Sequence, residues 1–370
     1  MCLQGSLRRS PLLSRLFLES EGLRDRPSEV AESETVEVAR RGRLCGAGFA
    51  VRRLILRRLA FGVLTLFLVS VVVFAATEIL PGNAARAILG RDATPAALTA
   101  MEHKLHLDRP LTTQYVDWLG GVLTGDPGTS LVNGENVMAE VMPRVRNSLT
   151  LLFFAGLIGV PISIGAGILA ASRGAGMLDS IVSVVALALA ATPEFVVGLF
   201  TILIFATTVF RWLPPVSLVA PGSSVFARPQ ILVLPVLTLV LVIFPYLFRM
   251  MRGSMLEILQ SDYVEMARLK GVSRGRIILV HALPNAVAPS IQVIALTFAY
   301  LAGGVVLVEY VFAYPGIGQS LVYAIFARDV PVIQFEVVLL ATFYVGLNIL
   351  ADVATILVTP KLRAGAWQTQ

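Results

Sequence analysis

The chain of 370 residues is 56% hydrophobic and 15% charged, with a mean hydropathy of +0.78, which excludes a water-soluble globular domain and makes lipid the solvent for most of its length. A net charge of +6 raises nucleic acid as a partner, but in a membrane chain an excess of Arg and Lys in cytoplasmic loops accounts for it, and none is expected. Both cysteines, Cys2 and Cys45, precede the first long apolar stretch, so no disulfide can staple a membrane core.

Residues 1–53 are rich in Arg, Glu and Ser, lack the apolar core of a signal peptide, and read as a disordered cytoplasmic extension. A translation start nearer Val51 is the alternative. Beyond them, a hydrocarbon core of about 30 Å asks for about 20 helical residues, and charge inside it is costly, so spans are sought between charged residues. Six emerge: Leu59 to Thr77, Arg146 to Arg173, Asp179 to Arg211, Arg228 to Arg249, Arg276 to Glu309, and Glu336 to Lys361. The implied division is a first helix with a folded external segment (54–145), five further helices (146–359) and a cytoplasmic tail (360–370). Pro161, Pro193, Pro235, Pro245 and Pro289 each remove a ladder hydrogen bond that lipid cannot replace, and predict kinks.

With the N-terminus inside, thirteen Arg and Lys near span ends fall in cytoplasmic segments, among them Arg173, Arg249, Arg252, Arg274 and Arg276, against three outside, Arg211, Arg228 and Arg328. Both termini are therefore expected in the cytoplasm.

Few residues carry chemistry. His103 and His106 share a helical face in the external segment, but no further ligand accompanies them and no metal is expected. Glu194, inside the third span, is either a cavity-facing acid on a substrate path or one that snorkels or pairs structurally. Asp352 and Asn348, one turn apart in the sixth span, suit helix-packing hydrogen bonds better than a proton relay. No H-E-x-x-H, G-x-S-x-G or lysine-bearing phosphate loop is present, so no catalytic residue is expected.

The cytoplasmic loop after the fourth span, Gly253 to Asn285, is the most informative stretch. Leu256, Leu259, Tyr263, Met266 and Ala267 recur at helical spacing and predict one amphipathic helix, with a stop at Gly271 and a cap at Ser273. After the fifth span, Glu309, Pro315, Gly316 and Gly318 lie in VEYVFAYPGIGQ, which predicts a shaped external turn with positive backbone dihedrals at the glycines.

These residues resemble the permeases of ATP-driven ABC importers. Glu265, Met266, Ala267, Gly271, Leu283 and Pro284 are similar in spacing to that family's EAA loop, departing from it at Met266 and His281. Asp262, Tyr263, Lys270 and Gly271, with His281, resemble its dipeptide, oligopeptide and nickel branch. So do the outer turn, its continuation Arg328, Asp329, Pro331 and Val332, and the opening Leu56 to Ala85. At Glu194 the family usually has an uncharged residue.

The resemblance implies an all-α type I importer permease fold of six spans, working beside a second related permease, two ATPase subunits that carry ATP and Mg, and an external binding protein that delivers peptide. Asp262, Tyr263, Glu265, Ala267, Lys270, Gly271, His281, Leu283 and Pro284 would couple to the ATPase. Nickel chelates or glutathione are alternative cargoes. An ion-driven secondary transporter is the rival from another class; it predicts inverted repeats, which the sequence does not display.

Overall fold

The computed structural model describes residues 55–78, 94–104, 109–174, 176–219 and 225–358, excepting the side chains at 101, 102, 104, 288, 289, 292 and 354–358. The expected N-terminal extension, the C-terminal tail, His106 and the Pro289 side chain lie outside the described residues. Arg57–Val358 form one compact unit.

Among the described residues the regular secondary structure is helical, with one isolated antiparallel bridge between Thr129 and Asn136. Helices α1 (Ile55–Glu78), α2 (Pro95–Lys104) and α3 (Leu111–Thr124) lead into a long α4 (Val137–Arg173). Then follow α5 (Met177–Ala191), α6 (Glu194–Ile202, continued by a π turn at Leu203–Thr207), α7 (Gln230–Leu259) and the short α8 (Asp262–Leu269). A helical turn at Arg274–Arg276 and a π segment at Ile277–Ala282 enter α9 (Leu283–Val311), before α10 (Ile317–Ala327) and α11 (Val330–Val358).

Helices α1, α4, α7, α9 and α11 are each long and apolar enough to cross a membrane, and α5 with α6 meets that test only as a pair. This is the expected all-α bundle, but its third span is broken, bent by 112°. Pro193 accounts for the break: it has no N–H for the ladder, and its ring steers Thr192 out of helical backbone, to φ −96° and ψ 128°. Pro161, Pro235 and Pro245 instead sit inside continuous helices.

The helices outrun the charges taken as their limits. Helix α4 starts at Val137, where the Asn136 side chain accepts the Ala139 N–H at 3.2 Å, and runs uninterrupted through residues 145 and 146. Helix α7 continues past Arg249 and Arg252, while Glu309 and Glu336 are fully buried inside α9 and α11. A charged side chain limits how a helix meets lipid, not its backbone ladder; protein partners or the bundle interior can receive it.

Between apolar helices in lipid, close approach rather than expulsion of water supplies cohesion, and α4 is built for it. Ala155, Gly156, Gly159, Ser163, Gly167 and Ala171 form a buried small-residue stripe along it. A side chain at Gly156 would overlap the Phe298 ring of α9, and one at Gly159 would meet Ile243 of α7. The main core joins α4, α7 and α9 through Leu151, Leu234, Leu239, Leu301 and Phe312.

Helix α1 is tied to α11 at two levels. Gln334 donates to the Thr77 hydroxyl at 2.7 Å, and Arg58 pairs with Asp352 at 3.2 Å. Asp352 thus joins two helices, whereas Asn348 donates to the Tyr344 carbonyl of its own helix, at 2.9 Å. Helix α3 docks on α1 through Tyr115, whose hydroxyl lies 2.8 Å from that of Ser70 and whose ring meets Phe74 edge-on at 5.3 Å.

Candidate functional site

The loop from 253 to 285 closes one end of the bundle, and the structure cuts its expected single helix in two. Leu256 and Leu259 belong to the end of α7 and pack against a cluster containing Ala171, Met251 and Met255. Gln260 and Ser261 interrupt the ladder, and α8 starts afresh at Asp262 with Ser261 extended at its N-cap position. Asp262 and Glu265 occupy the first turn and Arg268 the last, the arrangement that suits a helix dipole.

Helix α8 is anchored by Val264, which is fully buried, while Tyr263, Met266 and Leu269 are 46%, 54% and 76% exposed. Its apolar stripe faces outward. Glu265 and Lys270 are exposed and Ala267 half-buried. The helix ends in a Schellman motif: Val272 N–H reaches the Ala267 carbonyl at 3.1 Å, and Gly271 N–H that of Arg268 at 2.9 Å. Gly271 takes φ +78°, as this motif requires of its C′ residue. Ser273 stands at the next N-cap position as expected, but its side chain makes no capping bond; its carbonyl accepts from Ile277 at 3.0 Å instead.

The return into the bundle is a joint. The π segment ends against Leu283 and Pro284, and Pro284 has no N–H to give the ladder. The His281 carbonyl accepts from the Asn285 side chain at 2.9 Å and from the Tyr263 hydroxyl at 3.4 Å, so α8 is pinned to the joint by a bond across the loop. Beside it, a cleft of about 870 Å³ separates the loop from the end of α4, lined by Arg173, Glu265, Arg268, Leu269 and Arg274. Arg274 bridges the cleft to the Ser172 carbonyl.

One clamp at this end is not legible in the sequence. Arg252 of α7 holds Asp179 of α5 in a two-pronged ion pair, at 2.5 and 2.6 Å. Charge counting treats Arg252 as a loop cation and Asp179 as a span boundary. Residues 73 positions apart offer no spacing signal, and only the packing of α5 along α7 brings them together.

At the opposite end, the turn after α9 is buried rather than displayed. Glu309, itself inaccessible, accepts the Gly318 N–H at 2.7 Å from within α9 and so caps α10 from outside that helix. Gly316 and Gly318 do not supply the expected positive dihedrals; Ala313 does, at φ +48°. The glycines are needed for space, because a Cβ at Gly316 would overlap the Glu309 carboxyl and one at Gly318 the Val306 backbone.

Asn147 of α4 donates to the Pro315 carbonyl at 2.8 Å, and the Tyr314 hydroxyl donates to the Asn147 carbonyl at 2.9 Å. Burial, reinforced by the nearby Glu309 carboxylate, pushes that phenol's pKa up and keeps it a donor. Further along, Asp329 accepts from the Ser130 hydroxyl and, at 3.0 Å, from Leu131 N–H, clasping the loop before α4.

Glu194 lies apart from both ends. It is the first residue of α6, at the elbow left by Pro193, and a Cβ at Gly304 of α9 would strike its carboxyl. Tyr300, one turn before Gly304, lines the same cavity as Glu194, and the Tyr246 ring of α7 lies 5.6 Å from the Tyr300 ring. Glu194, Tyr300 and Gly304, together with Phe195 and Tyr344, border an open cavity of about 550 Å³.

Residues 163–364 match the family profile "Binding-protein-dependent transport system inner membrane component", and residues 51–151 match that of its N-terminal part. A probable peptide ABC transporter permease of Sinorhizobium fredii is 36% identical over 309 residues, 84% of this chain and 98% of that protein. A dipeptide transport system permease of Alkalihalophilus pseudofirmus is 32% identical over 83% of this chain and 98% of its own length. A glutathione transport system permease of Shigella flexneri is 34% identical over 84% and 98% respectively.

Proposed function

From the premise that this chain belongs to the binding-protein-dependent transport system inner membrane component family, we propose that it forms half of a peptide pathway through the cell membrane and draws its energy from ATPase subunits docked on α8. It is a multi-pass permease subunit of an ABC importer, a transport component and not an enzyme. The remaining parts of the machine are a second, related permease, two ATPases that bind ATP and Mg, and an external binding protein that presents a dipeptide or oligopeptide. The loop 253–285 and both termini face the cytoplasm, and the turn at 309–318 faces outward.

The observation that carries the coupling role is the outward apolar face of α8. Tyr263, Met266 and Leu269 project from a helix fastened to its own subunit by Val264, the Gly271 motif and the Tyr263 bond to His281. Exposed apolar side chains on a short, pinned helix suit a groove on a partner. Asp262, Glu265, Ala267 and Lys270 surround that face, and Leu283 and Pro284 lie where its movement enters the long helix α9. ATP binding that favours one arrangement of the ATPases would thereby shift the membrane cavity between outward and inward access. Glu194 lines the path between them.

The test uses the intact complex in proteoliposomes, with Cys2 and Cys45 replaced. Met266→Cys or Leu269→Cys should crosslink to an ATPase subunit and be reached by membrane-impermeant thiol reagents only from the cytoplasmic side. Dipeptide uptake should require ATP. Labelling of either position from outside intact cells, or uptake that persists without the ATPases, overturns the reading. Glutathione is the second cargo to assay, because a permease of that name is similar over nearly its whole length.

A further inference from the structure

We infer that Glu194 and Tyr300, with Phe195 and Tyr344 at the border, form a cation-recognition site in the membrane pathway that takes the α-ammonium group of the passing peptide. The inference rests on the peptide-importer reading above and adds a chemical role for the one acid at the elbow of the broken span.

The site is built by the break itself. Because Pro193 ends α5 and restarts the chain as α6, Glu194 stands at a helix N-terminus, turned toward Gly304, where the absence of a side chain leaves room for its carboxyl. Among the described residues no basic side chain is paired with it, in contrast to Asp179 and Asp352, which are held by Arg252 and Arg58. A carboxylate exposed to hydrocarbon is costly, so this half-buried acid faces water or a ligand.

The surroundings select the kind of ligand. Tyr300 offers a phenol oxygen and a ring face at the same cavity as the carboxylate, the Tyr246 ring lies 5.6 Å from the Tyr300 ring, and Phe195 and Tyr344 extend the aromatic border. An organic ammonium gains both a charge-assisted hydrogen bond and attraction to aromatic faces from such a set. A bare sodium ion prefers a cage of oxygens, which this aromatic, largely apolar lining around one carboxylate does not complete. The volume of about 550 Å³ accommodates the end of a peptide.

The test compares a free dipeptide with its N-acetylated form in proteoliposomes bearing the whole complex, each at a concentration that saturates the binding protein, so that delivery is equal. The unaltered complex should move the free form faster by about tenfold, the scale of one charge-assisted bond. Glu194→Gln should bring the two rates to within about twofold of each other, and Glu194→Asp should restore most of the difference. Equal loss for both peptides in Glu194→Gln, whether through failed assembly or slower turnover, or no change for either, overturns the inference while leaving the importer reading intact. An unaltered complex that moves neither peptide overturns the importer reading and this inference with it.

Discussion

The two ends of the bundle solve the same problem, turning a chain between helices, in opposite ways. At the α8 end the turn is displayed: Tyr263, Met266 and Leu269 are open to solvent, one buried residue anchors the helix, and Gly271 contributes a left-handed backbone. At the α9–α10 end the turn is interred: Tyr314 and Glu309 are inaccessible, and the glycines contribute empty volume. A glycine in a motif therefore carries two different meanings. The first kind leaves an apolar surface displayed, and the second closes a joint within the chain.

Substitutions can break or sharpen that contrast. The largest effect is expected for Gly318→Ala, because the new methyl would meet the Val306 backbone, which has no rotamer to escape into. Overpacking of this kind costs about 3 kcal/mol at the upper end of its usual range, and thermal unfolding of the detergent-purified protein should register it. Gly271→Ala should be milder, about 1–2 kcal/mol for forcing a side chain into the left-handed region, with ATP-driven uptake falling further than the melting temperature does. If Gly271→Ala unfolds the protein as readily as Gly318→Ala, the displayed and interred turns are not different in kind.

The smallest effect separates pattern from contact. Ser273 occupies a cap position in both sequence and structure, yet its side chain caps nothing. Ser273→Ala should change stability by less than about 0.5 kcal/mol, whereas loss of a working cap costs about 1 kcal/mol. A chemical denaturation midpoint measured beside the unaltered protein distinguishes the two values.

The same contrast explains what could be read in advance. The Gly271 stop and the Leu283–Pro284 return were legible because local backbone chemistry decides them: a left-handed residue and a missing N–H act within a few positions. The stripe from Leu256 to Met266 was legible as apolar but not as two helices, since periodicity runs on across the Gln260–Ser261 interruption. At the α9–α10 turn the glycines pointed to a tight shape, but their use as space depends on Glu309 and Val306 lying against them. Asp179 with Arg252, and Glu194 with Tyr300, left no trace, because each pair is joined only by helix packing across the bundle.

Sequence alone determined the solvent of this protein, its all-helical class and the approximate place of its apolar spans, since hydropathy and backbone chemistry act locally and need no partner. Tertiary structure decided which charges are clamped and which stand unpaired, which apolar faces look outward, and whether a glycine bends the chain or makes room. Those properties belong to neighbours far apart in the chain, and close packing of α4, α7 and α9 is what makes them neighbours.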